Sequence, residues 1–259
     1  MKSLLFGEAS RRLYGVYHPP AGDKQRAILL CHPAMQEYNE SYWMFRRLAT
    51  LLAAEGHHVL RFDYFGTGNS DGDSDHASPE SAVSDVQTAA EALLALSGVS
   101  ELSLVGLRLG AAYAALACSR GLSCQKLVLW EPVIVGTTYV SDLEELDTRH
   151  NLLLLHAART RGRRDEILGF PFSRAVRSAT EAIDLTRVPL KSTRVAVFTS
   201  AEHAEHRALC DVWTRAGVPT VLRTVSEPVA TANAQTGAPA SITNASARAI
   251  VAELDKGSS

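Results

Sequence analysis

A chain of 259 residues, 46% apolar and 21% charged, suits one large α/β unit with a sizeable core and is too apolar for a disordered segment. Its net charge of -2 argues against a nucleic-acid binder, and no apolar run approaches the ~20 residues that a membrane-spanning helix needs. Cys31, Cys118, Cys124 and Cys210 form no CxxC pair and no metal-ligand spacing, so reduced, buried thiols of a cytoplasmic protein are expected, with no metal and no cofactor.

Arg11 to His18 reads as an opening strand closed by Pro19-Pro20. Ala27 to Cys31 is a continuous apolar run, the pattern of a strand covered on both faces in a parallel sheet. A loop from His32 to Asn39 follows, then a helix that places Met44, Leu48, Leu51 and Leu52 on one face and ends at Gly56. Val59 to Asp63 is the next strand, and the Gly-, Asp- and Ser-rich stretch Gly66 to Asp73 is a loop. Ser78 as N-cap and Pro79 at the first helical position start a helix that runs to about Leu96.

Leu102 to Val105 is a strand that feeds Gly106-Leu107-Arg108-Leu109-Gly110, and the small-residue helix Ala111 to Ala117 follows. Lys126 to Trp130 is another strand, ending in Glu131-Pro132. Strands alternating with helices imply an α/β fold with a mostly parallel sheet. The alternation breaks between 141 and 190, read as a small helical cap inserted between core segments 1–140 and 191–259. It resumes with the strand Val195 to Phe198, a helix from Ala204 to Ala216 and the strand Thr220 to Val225. Residues 227–242 read as loop, and a last helix over 243–255 packs Ile250, Val251 and Leu254.

Strand, Gly-x-X-x-Gly turn and helix form the layout of a nucleophile elbow. With His32-Pro33 through Glu37-Tyr38-Asn39, Arg61-Phe62-Asp63-Tyr64-Phe65-Gly66-Thr67-Gly68, Leu129-Trp130-Glu131-Pro132-Val133 and Leu168-Gly169-Phe170-Pro171, it makes the chain resemble the α/β-hydrolase superfamily from Ala27 to Leu185. The resemblance is closer to its serine-aminopeptidase-like or exosortase-system-associated branch, some members of which carry Arg at the elbow. It implies an α/β-hydrolase fold, with relatives in natural-product pathways that act as thioesterase-like, epimerase-like or eliminating enzymes.

The triad that the resemblance implies is degenerate here. Arg108 stands where a hydrolase has its nucleophile, and a guanidinium stays protonated and cannot attack a carbonyl. The acid position offers Glu202, and the loop due to carry the base reads Ser226-Glu227-Pro228-Val229. None of the nine histidines lies after His206, so ordinary Ser-His-Asp hydrolysis is not expected.

What remains is an anion-holding elbow, with backbone donors expected around Ala34 and Leu109 and the charge of Arg108 beside them. His32, Glu37, Tyr38, Tyr64, Glu131, Glu202 and Glu227 are expected around it, with Glu37 or His32 moving a proton next to a carbonyl. That suits elimination or isomerisation of a small-molecule substrate, lyase-type chemistry without a nucleophile. The competing readings are a buried ion pair of Arg108 with Glu202 or Glu227 in an inactive, ligand- or partner-binding protein, and a hydrolase with a displaced nucleophile. The basic cluster Arg159, Arg161, Arg163 and Arg164 reads as solvated surface or as a dock for an acidic carrier protein, and a homodimer is the other partner considered.

Overall fold

A computed structural model of the chain describes residues 1–22, 26–154, 165–190, 194–225 and 244–256. Strands β1 (Lys2–Glu8) and β2 (Arg11–His18) form an antiparallel hairpin, and β2 runs antiparallel to β4 (His58–Phe62). Strand β3 (Arg26–Cys31) lies between β4 and β5 (Glu101–Leu107), followed by β6 (Lys126–Trp130), β9 (Arg194–Thr199) and β10 (Thr220–Thr224), all parallel. The resulting eight-stranded sheet has the order β1-β2-β4-β3-β5-β6-β9-β10.

Two helices cover one face, α1 (Met35–Ala54) and α7 (Asn244–Asp255), packing Phe45, Leu48, Leu52, Ile250 and Leu254 on Ile28, Leu30, Val59 and Val105. The opposite face carries α2 (Pro79–Ser97), α3 (Leu109–Ser119), α4 (Gly136–Leu154) and α6 (Ala204–Arg215) over Ala27, Leu29, Leu60 and Leu104. Successive residues of β3 therefore enter different cores, which is why its sequence is apolar throughout rather than alternating. Helix α3 is buried along almost its whole length, so it needs its alanines to fit between the sheet and α2.

Several elements differ from the sequence reading, among them the segment read as a helical cap, which starts at Gly136 and includes a short β-hairpin. Strand β1 was not expected; it is an edge strand with only Leu4 and Phe6 packed on the core, and its alternation is too weak to stand out. Helix α1 begins at Met35 rather than after Asn39, so Glu37 and Tyr38 belong to its first turn. The polar run Gln36 to Glu40 looks like loop because that turn sits at the rim of the sheet and buries little, while the acid at Glu37 is favourable at a helix N-terminus.

Between β6 and β9 the chain forms α4, a short hairpin of β7 (Glu166–Ile167) and β8 (Phe170–Pro171), and α5 (Arg174–Glu181). The start of α4 is pressed against the end of α5: a Cβ on Gly136 would stand 1.8 Å from the Thr180 carbonyl oxygen. The basic cluster at 159–164 lies outside the described residues. On the other edge of the sheet, the Lys126 ammonium at the start of β6 donates to the carbonyls of Glu253 and Leu254 (both 2.8 Å) and of Lys256 at the end of α7.

Candidate functional site

The chain leaves β3 into α1 and β5 into α3, and these two neighbouring strands carry helices on opposite faces of the sheet. Their C-terminal ends therefore frame a crevice of the kind in which open α/β sheets bind ligands. Arg108 is the residue between β5 and α3, with φ 52° and ψ -120°. Its N–H donates to Trp130 O (3.0 Å), and its carbonyl accepts from Ala111 (3.1 Å) and Val133 (3.3 Å). Both glycines of the turn are required by close approach. A Cβ on Gly106 would stand 2.5 Å from the Ala111 Cα, and one on Gly110 would stand 2.2 Å from the His32 carbonyl oxygen. Met35 (φ 54°) and Glu131 (φ 41°), after β3 and β6, share the left-handed conformation, so strain is concentrated at three adjacent strand ends.

The Arg108 side chain turns to Glu37. Its Nε donates to Glu37 Oε1 at 2.9 Å, Nη1 donates to the Glu131 carbonyl at 3.4 Å, and the guanidinium lies 5.4 Å from the Tyr139 ring centre. The Tyr139 hydroxyl donates to the other oxygen, Glu37 Oε2, at 3.2 Å. Burial works against the charge of Arg108, but Glu37 and Tyr139 outweigh it and hold the guanidinium even more firmly protonated than usual. The Tyr139 hydroxyl is pushed up by burial and then by the Glu37 carboxylate, so it stays a donor. With side chains 33% and 19% exposed, the ion pair lies between surface pairs worth ~0.2–1 kcal/mol and fully desolvated ones. A ligand anion can therefore compete for it.

A cavity of about 280 Å³ is lined by Tyr38 and Leu109, the chain neighbours of Glu37 and Arg108, and not by Arg108, Glu37 or Tyr139 themselves. Leu109, Tyr64, Tyr113, Phe65, Phe170 and Phe172 give it apolar and aromatic walls, and Ala34, Met35 and Tyr38 form the side towards α1. Neither the α1 nor the α3 N-terminus is capped by a side chain, so both helices bring first-turn N–H groups towards the crevice without a side-chain acceptor.

The structure brings Arg108, Glu37, Tyr38, Tyr64 and Leu109 to this edge and distributes the other expected residues differently. Tyr38 and Tyr64 are walls, their hydroxyls donating to Asp63 (2.6 Å) and to the His32 carbonyl (3.0 Å). His32 is fully buried and stacked on Phe45 at 4.0 Å, with neither ring nitrogen bonded; burial and the nearby Arg61 push its pKa down to about 3. Only its carbonyl reaches the site, through Tyr64. Glu131 accepts from the Ser200 N–H and from the Thr199 hydroxyl (3.3 Å), fixing the loop after β9. Glu202 pairs with Arg207 at 2.6 Å on the surface, so the expected pairing of Arg108 with Glu202 gives way to Glu37. Glu227 lies outside the described residues. Tyr139 was not anticipated, because a tyrosine 102 residues from Glu37 in a helix of mixed polarity leaves no local signal. Tyr113 was not singled out either, although it is the one aromatic side chain in an alanine-rich helix.

Among the described residues, no group of three or more His, Cys, Asp or Glu side chains is arranged to hold a metal ion, and no helix is long and apolar enough to cross a membrane. The four thiols are buried, and those of Cys118 and Cys124 share a hydrogen bond at 3.4 Å.

The family model described as serine aminopeptidase, S33, matches residues 22–190. No curated protein matches the chain. Among solved structures, Est1E from Butyrivibrio proteoclasticus with ferulic acid bound is similar at a TM-score of 0.65 and 13% identity, over 97% of each chain. Alpha/beta hydrolase domain-containing protein 10 from mouse is similar at 0.60 and 17% identity, over 98% of this chain and 97% of that one. DcsB in complex with its substrate analogue is similar at 0.61 and 13% identity, over 98% and 96%.

Proposed function

The chain belongs to the serine aminopeptidase, S33, family of the α/β-hydrolase fold, and from that premise we propose that it is a member that works without a nucleophile. Its substrate is a small carbonyl compound with an apolar or aromatic arm. The arm fills the cavity beside Leu109, and the carbonyl oxygen faces the first-turn N–H groups of α1 and α3. Glu37, held by Arg108 and Tyr139, takes a proton next to the carbonyl, and the electron pair left behind expels a leaving group or is reprotonated. Elimination and isomerisation are the two outcomes, in the biosynthetic type of pathway that the resemblance implies. One observation carries this reading: the strained backbone of the elbow is kept while its side chain is an arginine engaged with a carboxylate.

A second reading, ligand binding without turnover, is favoured by the same ion pair, which satisfies both Arg108 and Glu37. Two measurements separate the readings. Aryl-substituted ketones and esters with an enolisable C–H next to the carbonyl are titrated by calorimetry, and those that bind are incubated in deuterium oxide. Enzyme-dependent uptake of deuterium next to the carbonyl, lost in Glu37→Gln and in Arg108→Ala, is the expected result. Binding without uptake supports the second reading, and uptake unchanged in Glu37→Gln removes Glu37 from its role.

A further inference from the structure

The cavity beside Leu109 has three buried hydroxyls in its wall, with Tyr64 and Tyr113 each 4% exposed and Thr180 1% exposed. Two of them are satisfied within the protein: Tyr64 donates to the His32 carbonyl at 3.0 Å and Thr180 to the Val176 carbonyl at 2.8 Å. The Tyr113 hydroxyl has no hydrogen-bond partner among the described residues. Its oxygen is not one of the unpartnered polar atoms sealed in the core, so it opens on the cavity. A phenol this deeply placed ordinarily has a partner. The serines of the wall differ, because water reaches Ser74, Ser78 and Ser81.

Tyr113 stands one turn after Leu109 on α3, and long helical side chains lean back over the preceding turn, here towards the start of the helix. Its ring meets the Tyr64 ring edge-on at 5.6 Å, and the Tyr64 hydroxyl sits on the His32 carbonyl against which Gly110 is packed. The ring therefore stands at the end of the cavity where α3 presents first-turn N–H groups that no side chain caps. Burial, followed by the charge of Glu37, pushes the Tyr113 hydroxyl up, so it keeps its proton and can donate it to a hydrogen bond at neutral pH.

We propose that the Tyr113 hydroxyl is the side-chain donor to the carbonyl oxygen of the ligand in this cavity, beside the backbone N–H groups of α3. The ligand is then a ketone or ester whose oxygen accepts and whose hydrocarbon part meets the aromatic wall. This role rests on the cavity being the substrate's place, as proposed above, and not on turnover. When Glu37 takes the proton next to the carbonyl, the electron pair moves onto that oxygen, and the phenol stabilises the enolate while keeping its own proton.

Calorimetry of the full chain with an alkyl phenyl ketone, and with the alkylbenzene of the same chain length, tests the role. The ketone should bind about 5- to 10-fold more tightly, and Tyr113→Phe should remove that advantage while leaving the alkylbenzene unaffected. Equal affinities in the unsubstituted protein overturn the proposal, leaving the phenol to water and the cavity with its ligand. A ketone advantage that survives in Tyr113→Phe also overturns it and assigns the oxygen to the N–H groups alone. If neither compound binds, the cavity is not the substrate's place and both proposals fall. If Tyr113→Phe fails to fold, crystals of the unsubstituted protein grown with the ketone decide. A ketone oxygen within hydrogen-bonding distance of the Tyr113 hydroxyl supports the role, and any other position, or none, overturns it.

Discussion

Gly110 shows how little freedom a single position of the elbow has. A methyl group there would lie 2.2 Å from the His32 carbonyl oxygen and 2.3 Å from that of Cys31, and backbone cannot rotate out of the way as a side chain can. Gly110→Ala should therefore cost about 2–3 kcal/mol, read as a lower urea midpoint. Arg108 is different, since its side chain projects beyond the turn and leaves the backbone independent of its identity. Arg108→Ser should fold, yet neither hydrolyse an activated ester nor label with a fluorophosphonate, because no histidine follows His206 to serve as base. Labelling of that variant would show a base that the inventory misses. The same contrast explains what could be read in advance. The need for glycine at 106 and 110 is written in two adjacent steric contacts, whereas the partner of Arg108 depends on where α1 begins.

At the scale of elements, β1 was missed altogether and α1 was legible only in part. Its buried stripe was partly visible, with Leu48 and Leu52 assigned correctly, but its first turn was hidden in polar residues that serve the site rather than the core. Helix α2 was the most legible because its N-cap is local chemistry: the Ser78 hydroxyl accepts from Ser81 at 3.1 Å, Pro79 follows, and Gly98 closes the helix in the left-handed conformation. Ser78→Ala should lower stability by about 1 kcal/mol in equilibrium denaturation.

The layer between α1 and the sheet also has a pH dependence of definite sign. His18 and His32 have folded pKa values near 4 and 3, below the ordinary 6.5, so between those limits the unfolded chain binds more protons than the folded one. Stability is fully present above pH 6.5 and declines as pH falls, at about 1.4 kcal/mol per pH unit for each histidine. Urea titrations from pH 8 to 5 should show that decline, weaker in His18→Gln. His58 and His206, also pushed down by burial, add to it in the same direction.

For the whole molecule, the parallel sheet and its flanking helices could be inferred from apolar runs of strand length separated by helical periodicity. The long-range joins could not. Tyr139 meets Glu37 across 102 residues, and Lys126 reaches α7 across 127 or more. Such contacts are selected by the folded shape and leave no mark on neighbouring sequence. Lys126 is 8% exposed, and its ammonium completes carbonyls that the last turn of α7 leaves without helical partners. Lys126→Met should cost about 1–3 kcal/mol in equilibrium denaturation, reflecting acceptors left unmade.

That ammonium also imposes an order on synthesis. When β6 has left the ribosome, the carbonyls that receive Lys126 are still more than a hundred codons away, which at 5–20 residues per second is a delay of roughly 6–25 s. Throughout it, α1 is present but Ile250 and Leu254 of α7 are not, so the core they share with Val105, Val128 and Phe198 is incomplete. The nascent chain thus passes through a long interval with that face only partly covered, a period in which chaperones would have their substrate and the finished protein would not.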